Sequence, residues 1–370
     1  MKKTLFGIFL VVMGLVSCNK NTYDVLIVGG GASGTMAGLQ AARMGSKVMI
    51  AEETVWIGGM LTSAGVSAID GNYRLRGGLF GEFTDALAEH YGGYEALKTA
   101  WVSNIMFEPS VGEAIFEQKV AAEKNITLCK EWRFESAQKT KKGWTVIFST
   151  PEGKKSIDTR ILIDGTELGD VAKACGIKYH IGFDPKSYTG EKMAFEDARN
   201  IVQDLTMVMT LKDYGPGADM TIEKPEGYDI NNYVNCCINP LNTYFEKDQR
   251  QWSPEMMLSY GQLQNGKIMI NWPTEGNDFY ANVIEMNREQ RDSVIAQAKL
   301  RTLGFLYFIQ TELGYKNLGL ADDEYPTEDK LAFFPYHRES RRTAGEYLFP
   351  VDEGENRYDF KGYRSGVAVG

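Results

Sequence analysis

Residues 24–52 constrain this chain more than any other stretch. The run Asp24-Val25-Leu26-Ile27-Val28 is apolar and β-branched and reads as a buried parallel strand. It breaks into Gly29-x-Gly31-x-x-Gly34, which opens a helix to about Met44, and a second strand over 47–51 ends on Glu52 and Glu53. Each piece has a mechanical reason. Gly29 permits a tight strand-to-helix turn, Gly31 lets the backbone approach a pyrophosphate with no Cβ in the way, and Gly34 lets the helix lie close on the strand. The first helical turn, with Ala32 and Ser33, offers unpaired N–H groups and a partial positive charge to phosphates. Glu52 falls where a carboxylate accepts hydrogen bonds from ribose hydroxyls. Strand, loop, helix, second strand and acidic terminus occur in order, so the segment reads as a dinucleotide site on an α/β fold.

The flanks choose between dinucleotides. Gly38 and Gly45 extend the pattern to GxGxxGxxxGxxxxxxG, and Trp56-Ile57-Gly58-Gly59-Met60-Leu61-Thr62-Ser63-Ala64-Gly65 follows. Further on, an apolar run ends in Asp164-Gly165-Thr166-Glu167-Leu168-Gly169-Asp170, and near the end comes His337-Arg338-Glu339-Ser340-Arg341-Arg342 with Gly345-Glu346-Tyr347. Taken together, from Tyr23 to the last residue, these segments resemble the FAD-dependent oxidoreductase family of the glutathione-reductase-like superfamily. The resemblance implies that FAD is the cofactor. It also implies that Gly58, Gly59, Met60, Leu61 and Thr62 run beneath its pyrophosphate, that Gly165 and Thr166 close over the adenosine half, and that Arg133 lies near the adenine. Gly165 and Glu167 depart from the family's Ala-Thr-Gly turn. An NAD-linked dehydrogenase fits the extended glycine pattern less well.

The fold class expected is α/β: a Rossmann-like FAD-binding domain over 18–179, carrying a three-stranded β-meander at about 127–160, and an α+β substrate or cap domain over 180–370. Helices are expected over 77–91, from Ser110 as N-cap to about Glu123, and from Asn287 as N-cap to just before Gly314. Residues 233–238, holding Cys236 and Cys237, read as a strand that points the two thiols to opposite faces. The chain stops at 363–370 in what reads as mid-strand, so the family's C-terminal return to the FAD domain is expected to be missing.

Met1-Lys2-Lys3 and the apolar run 5–16 read as a secretory signal too short to span a bilayer. Leu15-Val16-Ser17-Cys18 fits a bacterial lipobox, so cleavage after residue 17 and lipidation of Cys18 are expected, with anchoring to the outer membrane facing the periplasm. Subtracting Lys2 and Lys3 from the 40 basic residues leaves 38 against 49 acidic ones. An acidic chain with no basic run is a poor nucleic-acid binder. Cys129, Cys175, Cys236 and Cys237 form no disulfide framework, and no zinc, iron–sulfur or haem spacing occurs, so no metal is expected.

A flavin carries redox chemistry, and protein groups orient substrate and manage protons. Among three histidines, His337 is the candidate acid or base, with Arg338 and Arg341 beside it to hold an anion. The alternative is that this arginine cluster forms structural pairs with Glu339 and Glu346. Loops rich in Asn, Trp and Tyr (Asn239-Pro240, Asn271-Trp272-Pro273, Gly276-Asn277-Asp278) suit a polar substrate, carbohydrate-like or anionic. The expected activity is hydride transfer between a small organic substrate and flavin. A non-redox relative that keeps the nucleotide fold for binding or scaffolding is the rival.

Overall fold

The computed structural model describes residues 22–70, 73–242 and 252–348. The signal segment, Cys18 and the expected strand at 363–370 lie outside the described residues. In chain order the first half contains β1 (Thr22–Val28), α1 (Ala32–Arg43), β2 (Val48–Ala51), α2 (Gly78–Tyr91), α3 (Pro109–Ala121), β3 (Ile126–Cys129), β4 (Arg133–Thr140), β5 (Gly143–Thr150) and β6 (Gly153–Asp164).

These strands make one six-stranded sheet in the order β3-β2-β1-β6-β5-β4. β1 is parallel to both β2 and β6, and β3 runs parallel to β2 at the edge. Alternation along β1 explains the layering. Val25 and Ile27 enter the core made with the three helices, while Leu26 and Val28 face the core under the meander. Leu26, Ile27 and Ile50 are fully buried, each contributing roughly 1.5–3 kcal/mol of transfer free energy.

The meander is simpler than its sequence reading. Its third strand and the strand that closes the parallel sheet are one continuous element, β6. Its first half pairs antiparallel with β5 up to Trp144–Thr159, and from Asp158 onward it pairs with β1. The segment expected to open the meander, 127–129, belongs instead to the parallel edge as β3. The helix expected to be capped by Ser110 starts two residues earlier, at Pro109, with Glu108 as N-cap. Proline fixes the first helical φ and lacks the N–H that would need a partner, and the Ser110 amide donates to Glu324 Oε1 at 2.6 Å.

The second half builds an antiparallel sheet with Met209–Asp213 between Lys267–Ile270 and Leu318–Leu320. Helix Arg288–Thr311 buries Ala298, Thr302, Phe305, Leu306, Phe308 and Ile309 in the core that also holds that sheet. It starts on a full capping box: Asn287 accepts from the Gln290 amide, and the Gln290 side chain accepts from the Asn287 amide. Residues 233–238 are not a strand. They form consecutive turns, with Asn239 Nδ2 donating to the carbonyls of Val234 and Cys237 at 2.8 Å. The buried Cys236 and Cys237 sulfurs therefore lie together, 3.6 Å apart, rather than on opposite faces.

Candidate active site

The phosphate loop hangs between three close contacts. Gly29 has φ +94°, and a Cβ there would stand 2.3 Å from the Gly165 carbonyl oxygen, so the β1 and β6 ends touch backbone to backbone. A Cβ on Gly34 would meet the Gly29 carbonyl oxygen at 2.1 Å, and one on Gly38 would meet Ile50 Cδ1 at 2.6 Å. Those two glycines thus let α1 lie against the loop and against β2. Gly31 is different. A Cβ there would find no atom closer than 3.6 Å, because that side of the loop opens on a cleft.

The cleft has a volume of about 950 Å³ and is lined by Gly29, Gly31, Glu52, Gly165, Thr166 and Glu167 from the phosphate-loop side. Glu53, Arg133 and Phe134 also line it, as do Arg288, Arg291, Phe333 and His337 from the second half of the chain. Glu52 is held firmly. Its Oε2 accepts from the Gly30 amide at 2.7 Å, and Oε1 accepts from the Thr54 amide and hydroxyl at 2.8 and 2.9 Å. Burial raises its pKa, and those hydrogen bonds work against the rise. Gly165 and Thr166 are equally fixed. The Gly165 amide donates to Val28, and the Thr166 amide and hydroxyl both donate to Asp164 Oδ1.

The loop after Glu52 lies beside the phosphate loop, with the Gly58 amide donating to the Gly30 carbonyl at 2.8 Å. Gly58, Gly59, Met60, Leu61 and Thr62 are not among the residues that line the cleft. The Thr62 hydroxyl donates to the Ile57 carbonyl and is buried, Leu61 packs into the helical core with Met60 against it, and the Ser63 carbonyl accepts from the Phe333 amide at 2.9 Å. Arg133 and Phe134 line the cleft where β4 begins, while Trp132 packs on Phe148.

His337 lines the cleft; Arg338 and Arg341 do not. Arg338 donates to the Asp204 carbonyl, Asn271 and Asp278. The Arg341 side chain, 1% exposed, bonds Asp170, Glu285 and the carbonyls of Leu168 and Ile284. Both arginines are structural clamps, with partners other than Glu339 and Glu346. Burial, helped by Arg291, holds the His337 imidazole down at about 4, so it is neutral at pH 7 and a weaker base than a free imidazole. His180 stacks on Tyr188 and bonds Asp184.

The polar loops read as carbohydrate-like are occupied internally. Asn277 satisfies the Trp272 amide and the carbonyls of Met207 and Ile270, and Trp272 Nε1 donates to Cys236. The cleft instead takes from the second half Arg288, which pairs with Glu53 across it, and Arg291, which forks onto Asp170 at 2.6 and 2.9 Å. Neither arginine carried a sequence signal, since both sit in the ordinary first turns of a helix.

Among solved structures the chain is similar to a p-nitrophenol 4-monooxygenase from Pseudomonas putida, at 15% identity over 52% of this chain and 48% of that one, with a TM-score of 0.32. It is also similar to an anhydrotetracycline hydroxylase from Streptomyces rimosus, at 16% identity over 56% and 39% with a TM-score of 0.34. A flavoprotein/dehydrogenase from Cytophaga hutchinsonii gives 16% identity over 52% and 46%, with a TM-score of 0.34. The chain spans less than half the length of each. Residues 24–370 match the model of the FAD dependent oxidoreductase family, and the chain belongs to that family.

Proposed function

We propose that this protein moves a hydride between a small organic substrate and FAD held in the cleft. The observation that carries the reading is the continuity of that cleft: Gly31 of the phosphate loop and His337 of the second half line one volume of about 950 Å³. The residues present fit the cofactor. Gly31 lines the cleft with no atom closer than 3.6 Å to the place of a Cβ, the first turn of α1 that follows it has the free amides that would suit a phosphate, and Glu52 is fixed at the end of β2, where the motif would place a ribose. Bound there, the flavin supplies the two-electron chemistry. The chain's own contribution is to hold the dinucleotide on the loop and to present a neutral imidazole for a substrate proton. The Arg288–Glu53 pair forms part of the cleft wall.

The test is a visible spectrum of purified residues 19–370, followed by titration with FAD and with NAD. A two-banded flavin spectrum or saturable FAD binding supports the reading and opens a substrate screen by flavin bleaching. Folded protein that binds NAD, or neither dinucleotide, defeats it.

The same proposal includes the cell envelope. The lipobox at Leu15-Val16-Ser17-Cys18 supports a lipid anchor on Cys18. Intact-mass analysis of the mature protein should show a diacylated or triacylated Cys18, and an unmodified cysteine or cleavage elsewhere rejects the anchor.

A further inference from the structure

The Glu167 carboxyl stands on ground that a pyrophosphate needs. It follows Thr166 in the turn that ends β6, and its Oε1 lies 2.8 Å from the place of a Cβ on Gly59 and 3.7 Å from the place of a Cβ on Gly31. Gly31 and Gly58 form a backbone bridge, so Glu167 leans over the seam between the phosphate loop and the loop after Glu52. Among the described residues no hydrogen bond or ion pair holds this carboxyl.

The charged groups around it are otherwise committed. Glu52, at the end of β2, is bound by Gly30 and Thr54 and repels Glu167. In its own turn Asp164 is held by Thr166 and the Ala172 amide, and Asp170 by Arg291 and Arg341. From the long helix, Arg288 is shared between Glu53 and Asp292. Lys173 pairs with Glu285, and His337 is neutral near pH 7. Arg133 also lines the cleft, and among the described residues it makes no ion pair with Glu167. Burial first, and Glu52 second, push Glu167 up to about 7. A carboxyl in this state is ionised or neutral according to small changes in pH.

Resting on the assignment of the cleft to FAD, we propose that Glu167 sets the affinity of this site: ionised, it competes with the FAD pyrophosphate for the phosphate loop, and protonated, it yields the loop, so that FAD binding takes up one proton. This residue replaces the glycine of the resembled Ala-Thr-Gly turn, and the substitution converts a passive wall into a proton-linked one. Binding that requires the neutral form weakens by up to about tenfold per pH unit above the carboxyl's pKa.

The experiment is FAD binding to the full chain by quenching of flavin fluorescence, from about pH 6 to about pH 8.5, for wild type and Glu167→Gln. Wild type should lose about tenfold or more in affinity over that range. Glu167→Gln should be flat and should bind at the high end as wild type binds at the low end. At about pH 8.5 the substitution should also strengthen binding of ADP and leave adenosine unchanged, because only ADP carries the phosphates. Circular dichroism checks folding, and Glu167→Ala serves if the glutamine variant does not fold. Equal pH slopes in both proteins overturn the proposal. So does weaker binding by Glu167→Gln, which would make Glu167 a contact to the cofactor, and so does a wild-type slope that vanishes with added Mg²⁺, which would make it a cation bridge. Folded wild type and variant that both fail to bind FAD at every pH overturn the cofactor assignment itself.

Discussion

Lys267 Nζ lies 2.7 Å from Glu324 Oε2, and the two side chains are 4% and 0% exposed. The same ammonium reaches Glu108 Oε1 at 2.8 Å, just ahead of α3. Glu108 is also bound by Tyr91 and Asn265. This buried cluster joins the second half of the chain to the dinucleotide-binding half. Burial works to lower the Lys267 pKa, but Glu108 and Glu324 more than reverse that and raise it, and half-exposed Asp323 lies 3.3 Å from the same ammonium.

Removing the cation should therefore be costly. Lys267→Met leaves Glu108 and Glu324 buried with no counter-charge and should destabilise the protein by about 3–5 kcal/mol. Urea unfolding measures it. The double variant Lys267→Met with Glu324→Gln should recover part of the loss, because one of the two uncompensated charges is gone. A single variant within about 0.5 kcal/mol of wild type would show that the cluster contributes little to the joint.

The two glycines of the phosphate loop should separate cleanly. Gly31→Ala places its methyl where the nearest atom is 3.6 Å away, so thermal stability should hold while FAD affinity drops by about tenfold or more, the methyl standing where the pyrophosphate must approach. Gly34→Ala drives a methyl to 2.1 Å from the Gly29 carbonyl oxygen. The loop must then shift, and stability should fall by about 1–3 kcal/mol along with binding. Equal loss of stability in both variants would contradict the distinction. Melting curves with and without FAD provide the comparison.

What the sequence made legible was local. β1, the phosphate loop, α1 and β2 are contiguous, and Gly34 and Gly38 answer contacts with nearby Gly29 and Ile50, whereas Gly29 meets Gly165, just past the end of β6. The cap at Asn287 was equally readable, because its partner Gln290 is three residues on. The misreadings came from non-local partners. Ser110 lost the cap because Pro109 fixes the first turn and Glu324, over two hundred residues away, takes its amide. The apolar look of 233–238 concealed turns held by Asn239. Arg338 and Arg341 carried the right chemistry for an anion site, yet their acids, Asp278, Asp170 and Glu285, come from distant segments that no spacing rule connects.

Arg341 offers a direct test of clamp against catalyst. Its guanidinium makes an ion pair with Asp170 at 2.7 Å and another with Glu285 at 2.9 Å, and it lies over the Tyr179 ring. Lysine cannot reproduce that fork. Arg341→Lys should destabilise the protein by on the order of 2–4 kcal/mol, seen as an earlier urea midpoint. FAD affinity of the folded fraction should stay within about threefold of wild type. Unchanged stability with lost turnover would assign the residue to chemistry instead.

His337 links the cleft to acid stability. Burial and the nearby Arg291 hold its folded pKa at about 4, well below the ordinary value of 6.5. Between those two values the unfolded imidazole binds a proton that the folded one refuses. The stability it carries is therefore complete above about pH 6.5 and is lost as pH falls through about 4, by on the order of 3 kcal/mol. Wild type should lose unfolding free energy more steeply over that window than His337→Gln, which has no such proton to bind. In turnover, if the neutral imidazole is the working base, the acid limb of kcat/KM should sit near pH 4 to 5 instead of 6.5, and His337→Ala should remove both the limb and most of the rate. Parallel acid unfolding curves for wild type and His337→Gln would refute the buried-imidazole account. An unchanged rate in His337→Ala would leave the residue as part of the cleft wall and move the search for the proton acceptor to another group lining it.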